Sequence, residues 1–202
     1  MIRVSGHKWL YDVPKILHCD ISLANLMFRR IGGEVYGVLN DFDLACGIDS
    51  ANASPTSNQR TGTKPFMAID LLSESPPPRH LYRHDLESFF HVLVFMTSTY
   101  LKGTEIQNPL LQSWLTKTME GVVKEKISFI MLDTICPTSD FRELKNLLTT
   151  MRYTLACGFT ALLQHKTERG LANEAGCPSF NQDTLGGHVT FDKFVAAFGI
   201  TP

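Results

Sequence analysis

A carboxylate and a carboxamide lie five positions apart, Asp20 and Asn25, in the run His18-Cys19-Asp20-Ile21-Ser22-Leu23-Ala24-Asn25. A second carboxylate, Asp41, follows in Asn40-Asp41-Phe42-Asp43-Leu44-Ala45. Between them are two β-prone pieces, Leu26 to Phe28 and Val35 to Leu39, separated by Gly32-Gly33. Paired glycines between two such runs predict a β-hairpin. A hairpin would return Asp41 to the side of the Asp20 loop. Phosphoryl transfer asks for a set of this kind: a carboxylate to orient the attacking hydroxyl, and a few oxygens to hold Mg²⁺ against phosphates. Asp20 suits the first role, and Asn25 and Asp41 the second. Taken singly, Asp20 and Asn25 also read as turn residues, which Asp and Asn favour.

The elements around this set change character midway. Before about residue 80 the chain consists of short apolar pieces between loops, and after it the pattern is mostly helical. Residues 47–64 are polar with few apolar anchors, and an unstructured segment of that length inside a domain is usually functional. Three consecutive prolines at 76 to 78 mark a second loop. Leu86, Phe89, Phe90, Leu93 and Val94 then recur at helical spacing. Val92, Phe95 and Met96 make this helix, expected over 85–101, apolar nearly all round, so it should be central and buried. Leu110 to Met131 predicts one or two helices. A stripe from Phe141 to Leu155 predicts another, capped by Ser139 or Asp140. Phe191, Phe194, Val195 and Phe198 suggest a short terminal helix.

Four motifs in order carry a resemblance to a known family. His18-Cys19-Asp20 with Asn25 resembles the catalytic loop H-R-D-x-x-x-x-N of protein kinases, and Asp41-Phe42-Asp43 resembles D-F-G. The polar segment that follows resembles an activation segment closing on Arg60-Thr61-Gly62-Thr63-Lys64-Pro65-Phe66-Met67-Ala68. His84-Asp85-Leu86-Glu87-Ser88-Phe89-Phe90 resembles the start of the buried helix of the kinase large lobe. The combination is similar to the fungal-type protein kinase family, from about Ile16 to Ile130, with Trp114 and Lys126 fitting loosely.

This resemblance implies a mainly α (α+β) fold: a kinase-like large lobe with a small hairpin and catalytic-loop layer packed on the central helix. It implies one unit over residues 1–202, with 131–202 a helical extension. It implies ATP and Mg²⁺ as cofactors, Asp20 as catalytic base, and Asn25 and Asp41 as metal ligands. His18, Ser22 and Asp85 would support the catalytic loop, with Asp85 bracing its backbone. Asp43, Arg60 and Thr63 would belong to the activation segment, Thr63 reading as a phosphosite, a substrate-positioning hydroxyl or a plain loop threonine. Seventeen residues precede His18. They contain no G-x-G-x-x-G loop and no V-A-I-K-like strand, so the expectation is a large lobe without the ATP-gripping small lobe, and inactive alone.

The chain also departs from the pattern. Cys19 stands where an arginine commonly pairs with a phosphorylated activation loop. Ser22 stands where many Ser/Thr kinases carry a lysine. Asp43 replaces the glycine of D-F-G. Ala68-Ile69-Asp70 stands in place of A-P-E, and the shorter Asp70 puts the usual anchoring ion pair in question.

Composition narrows the classes of partner. The 202 residues carry a formal net charge of −1, with 44% hydrophobic and 19% charged residues, a globular balance. No strong field of either sign points to nucleic acid or to an anionic membrane. The longest apolar run, Phe89 to Met96, is too short to span a bilayer. Five cysteines without a C-x-x-C pair read as reduced thiols of an intracellular protein, cytoplasmic or nuclear, and no Cys/His cluster has zinc-ligand spacing. The expected partner is a protein substrate or docking partner. Besides a Ser/Thr protein kinase, the motifs admit a catalytically dead kinase-lobe binding module and a small-molecule phosphotransferase of kinase-like fold.

Overall fold

A computed structural model describes residues 5–48, 62–171 and 179–199. The fold is mainly α with a few short strands. Helix α1 (Ser5–Asp12) leads into β1 (Ile16–Leu17), and the hairpin β2 (Leu26–Ile31) and β3 (Glu34–Leu39) follows. The two strands pair antiparallel from Leu26 opposite Leu39 to Ile31 opposite Glu34. That register leaves only Gly32 and Gly33 in the turn, with φ of +57° and +85°. A two-residue turn with both central residues at positive φ matches the strand twist, and glycine adopts it without a Cβ penalty. The expected hairpin is present, and its strands run longer than the β-prone pieces alone indicate. Strand β4 (Cys46–Gly47) pairs antiparallel with β1, Leu17 facing Cys46.

Beyond the polar segment the chain is helical: α2 (Ile69–Ser73), α3 (Tyr82–Thr99), α4 (Pro109–Thr116), α5 (Met119–Leu132), α6 (Lys145–Leu171) and α7 (Phe191–Ala197). A minor ribbon, β5 (Tyr100–Leu101) with β6 (Thr104–Glu105), links α3 to α4. Helix α3 is the expected central one. It begins three residues earlier than its apolar stripe suggests, and most of its residues are buried, polar ones included. Helix α4 starts where Asn108 Oδ1 accepts the N–H groups of Leu110 and Leu111 with Pro109 just inside. Helix α5 starts at Thr118, whose hydroxyl accepts from Gly121. The 110–131 stretch therefore resolves into two helices. No helix among the described residues is long and apolar enough to cross a membrane.

One expected cap is used elsewhere. Residues Ser139–Leu144 form a 3-10 turn, and the α-helix begins only at Lys145. The Asp140 carboxylate accepts the Lys102 N–H in the β5–β6 turn, and Thr138 donates its hydroxyl to the Tyr100 carbonyl. These ties hold the 3-10 turn against the end of α3 and leave Asp140 unavailable to its own helix.

The core centres on Phe90, Trp114, Phe129, Ile130 and Leu148, which are almost wholly buried. Trp114 meets Phe129 edge-on at 5.6 Å and His91 at 5.3 Å. Lys126 is sealed within this core. Its ammonium donates to the Met67 carbonyl, lies 3.1 Å from His91 Nδ1, and sits 5.3 Å from the Trp114 ring centre. Burial pushes the Lys126 ammonium pKa down and the neighbouring Glu87 carboxyl pKa up, each favouring its neutral form.

Removing this buried donor leaves the Met67 carbonyl without its Lys126 partner. Lys126→Met is expected to cost about 1–3 kcal/mol in urea unfolding, the scale for leaving a buried acceptor unsatisfied. Lys124→Met, at an exposed ion pair with Glu120 on the same helix, should stay within about 0.5 kcal/mol of the parent. Equal losses for the two would contradict the packing described.

Candidate active site

The Asp20 loop follows β1 directly, and one buried side chain on α3 holds its backbone. Asp85 Oδ2 accepts the His18 N–H at 2.9 Å, and Oδ1 accepts the Cys19 N–H at 3.2 Å. Each oxygen also meets an imidazole: His7 Nε2 lies 3.1 Å from Oδ2, and His80 Nε2 lies 2.8 Å from Oδ1. His7 is carried by α1 and stacks on Tyr82 at 4.8 Å, which docks α1 against the start of α3. Cys19 adopts φ of +67°, a left-handed conformation that costs a non-glycine residue about 1–2 kcal/mol. The Asp85 bond to its N–H helps to hold that turn. Desolvation alone pushes the Asp85 carboxyl pKa up, but the His80 charge and the hydrogen bonds from His7 and His80 outweigh it. The carboxyl is held well below the usual range.

The turn presents Asp20, which is half-buried. Asn25 Nδ2 donates to the Asp20 carbonyl at 3.0 Å and to its Oδ2 at 3.2 Å. From the far side of the polar segment, Thr63 donates both its N–H and its hydroxyl to Asp20 Oδ1, each at 2.8 Å. Gly62 makes this approach possible. Its φ is +116°, and a Cβ there would meet Met67 Cγ at 3.3 Å and the Cys19 carbonyl at 3.4 Å. Lys64 then donates to the carbonyls of Leu115 and Lys117 at the end of α4, a favourable place for a cation.

Asp41 is returned to the loop by the hairpin. The Asn40 N–H donates to the Asn25 carbonyl at 2.9 Å, and His18 Nε2 lies 3.0 Å from the Asn40 carbonyl. Asp41 itself is exposed with φ of +60°, and its Oδ1 accepts the Asp43 N–H at 3.4 Å. Phe42 packs on the His18 ring at 4.8 Å. Among the residues singled out from sequence, His18, Asp20, Asn25, Thr63 and Asp85 form one bonded cluster, with Asp41 and Asp43 on its rim. Ser22 is buried in the loop, its carbonyl accepting the Asn25 N–H. Arg60 falls in the segment 49–61, outside the described residues.

Asn25 has its amide nitrogen engaged by Asp20, which leaves its side-chain oxygen as the ligand-capable atom. This oxygen and the exposed Asp41 carboxylate are hard oxygens, the type of ligand Mg²⁺ takes beside water and phosphate.

Helix α3 also holds the chain after the polar segment. Arg83, Glu87 and His91, spaced four apart, line one face of it. Arg83 pairs with the Asp70 carboxylate. Glu87 Oε1 accepts the Ile69 N–H at 2.8 Å, and His91 Nδ1 approaches the Phe66 carbonyl at 3.4 Å. The shorter Asp70 thus does make an ion pair, with Arg83 thirteen residues on. Burial pushes Asp70 up, while His84 and Arg83 more than offset it and hold the carboxyl low. Burial pushes His84 down to about 3, so it stays neutral and accepts the Leu81 N–H on Nδ1 at 3.1 Å. Sequence reasoning passed over Arg83, Glu87, His91, His80 and His7. The available signal was polar residues inside a helix otherwise apolar on every side, since buried polar groups require partners.

The arrangement is a mainly α domain with a carboxylate-bearing loop and hairpin clamped on a buried helix. Residues 3–97 match the model of the fungal protein kinase family, a segment running from α1 through the Asp20 loop and hairpin to near the end of α3. The resemblance read from the four motifs is borne out over that segment. No curated protein matches the chain.

Because the Asp85 and Asp70 carboxyls are held below their unfolded values, the unfolded chain binds more protons in acid. Their stabilisation is complete above the ordinary Asp value near ~4 and is lost as pH falls further. Asp85→Asn turns one acceptor into a donor facing a backbone N–H. It is expected to cost about 3 kcal/mol near pH 7 and to flatten the fall in stability below about pH 4. Chemical denaturation followed across pH checks both. An unchanged acid slope would count against the Asp85 assignment.

Proposed function

We propose that the chain is the substrate- and metal-side lobe of an ATP-dependent protein kinase that phosphorylates Ser or Thr hydroxyls. The observation that carries this reading is the Asp20 carboxylate, fixed at once by Asn25, by Thr63 and, through the backbone, by Asp85. A carboxylate held from three directions has a defined orientation, which is what positioning catalysis requires. In this reading Asp20 orients the attacking hydroxyl and accepts its proton, while Thr63 ties the substrate-facing segment to Asp20. Asn25 and Asp41 would hold Mg²⁺, which supplies charge neutralisation on the phosphates of ATP.

The match to the fungal protein kinase family, together with a closing segment built on Gly62, Thr63 and Lys64, favours a protein hydroxyl over a small alcohol. These 202 residues contain no glycine-rich loop or strand lysine to grip the nucleotide, so the reading assigns adenine binding elsewhere. A second reading, a docking module without catalysis, draws on the hairpin. Phe28, at 68% exposure, and Met27, Ile31 and Val35 leave apolar surface uncovered there.

Transfer from Mg·ATP, measured on the product purified from its native cell and on the 202 residues alone, separates these readings. The kinase reading expects activity in the native product, lowered at least ~10³-fold by Asp20→Asn and comparably by Asp41→Asn. It expects negligible turnover from the 202 residues alone. A native product without transfer, unchanged in partner binding by Asp20→Asn, would replace it with the docking module. Transfer to a small alcohol but not to protein would move the substrate class.

A further inference from the structure

Cys19 and Cys46 are far apart in sequence, yet the pairing of β1 with β4 brings their side chains together. Their Sγ atoms lie 3.4 Å apart, in direct contact. Cys19 Sγ is also 3.6 Å from the Leu17 carbonyl. Cys19 is 8% exposed, whereas Cys46 is only half-buried. Both are free thiols. A disulfide needs sulfurs about 2.05 Å apart, so closing this contact takes a shift of roughly 1.4 Å. Cys19 immediately precedes Asp20, and its N–H is fixed by Asp85. Neither thiol contributes to the phosphoryl-transfer set described above.

We propose that Cys19 and Cys46 are a redox modification site, closing to a reversible disulfide under hydrogen peroxide and stapling the Asp20 loop to β4. The less buried partner, Cys46, reacts first. The Cys46 thiolate attacks one peroxide oxygen, forming an S–O bond and releasing hydroxide, which takes up a proton to become water. Cys19 Sγ then attacks the Cys46 sulfenic sulfur. The S–S bond forms, the S–O bond breaks, and the hydroxyl leaves with the Cys19 proton as a second water. Two thiols lose two electrons and two protons, and one peroxide becomes two waters. A low-molecular-weight dithiol reverses the bond by two exchange steps.

The microenvironment fits this order. The hydrogen bond from Cys19 lowers the Cys46 thiol pKa below its ordinary value; burial opposes this, His80 reinforces it and Asp85 opposes it. Cys19 is pushed up by the same bond and by burial, as suits the resolving thiol. The closed ring would contain Asp20, Asn25 and Asp41, fixing the loop and hairpin relative to one another. The inference does not depend on phosphoryl transfer at Asp20.

The test treats the full chain with graded hydrogen peroxide, blocks remaining thiols by alkylation, and maps peptides without reduction. The expected result is a linked Cys19–Cys46 peptide, a mass lower by about 2 Da, and full reversal by dithiothreitol. Cys136 and Cys157 should remain alkylatable at the same dose. In Cys19→Ser, Cys46 should stop at a sulfenic acid trapped by dimedone, while in Cys46→Ser the residue Cys19 should stay unlabelled. The proposal is overturned if Cys19 and Cys46 are still alkylated at doses that oxidise Cys136. It is also overturned if Cys46 links to a different cysteine. The mapping of the unsubstituted chain decides the matter even where a serine variant folds poorly.

Discussion

The structure depends on one buried carboxylate. Asp85 lies inside a helix that the core surrounds, where a charge without partners would be prohibitively unfavourable. It is satisfied by four donors, two of them the backbone N–H groups of His18 and Cys19. Those two amides begin the turn that presents Asp20. A buried acceptor with strict directional demands therefore defines where the loop lies, and the positive φ of Cys19 is a consequence of that docking. Replacing Asp85 by an apolar residue would remove the demand and leave two buried amides unpaired.

The same helix extends this logic to the other side of the polar segment. Arg83, Glu87 and His91 recur every fourth residue and bind the stretch 66–70 through an ion pair, a backbone amide and a carbonyl. Lys126 reaches the same stretch from α5 at the Met67 carbonyl. Helix α3 thus holds both the Asp20 loop and the stretch 66–70. The bonds of Thr63 to Asp20 follow beside Gly62, whose φ of +116° is one that side-chain-bearing residues rarely adopt. The cost of burying these polar groups is offset by partners in the stretch 66–70: a carboxylate, a backbone amide and a backbone carbonyl.

Much of this was legible in the sequence. The glycine pair between β-prone runs announced the hairpin, and the apolar stripe announced α3 as central. The ordered motifs put Asp20 and Asn25 on one loop, and the hairpin returns Asn40, next to Asp41, to Asn25. What the sequence concealed was the use of polar residues within buried surfaces. His7 meets Asp85 from α1, and no spacing rule links positions so far apart. The Cys19–Cys46 contact depends on two-residue strands too short to leave a periodic pattern. The misplaced start of α6 has a similar origin: Asp140 fits a helix cap by type, but the β5–β6 turn claims its carboxylate first. Local preference was overridden each time by a partner distant in sequence.

The central claim is that Asp85 clamps the Asp20 loop onto the buried helix. Amide hydrogen exchange resolved at His18 and Cys19 tests it most directly. The account predicts that both amides exchange as slowly as the core of α3, opening only with global unfolding. Exchange of His18 and Cys19 at exposed-loop rates, while Phe90 and Val94 stay protected, would contradict it.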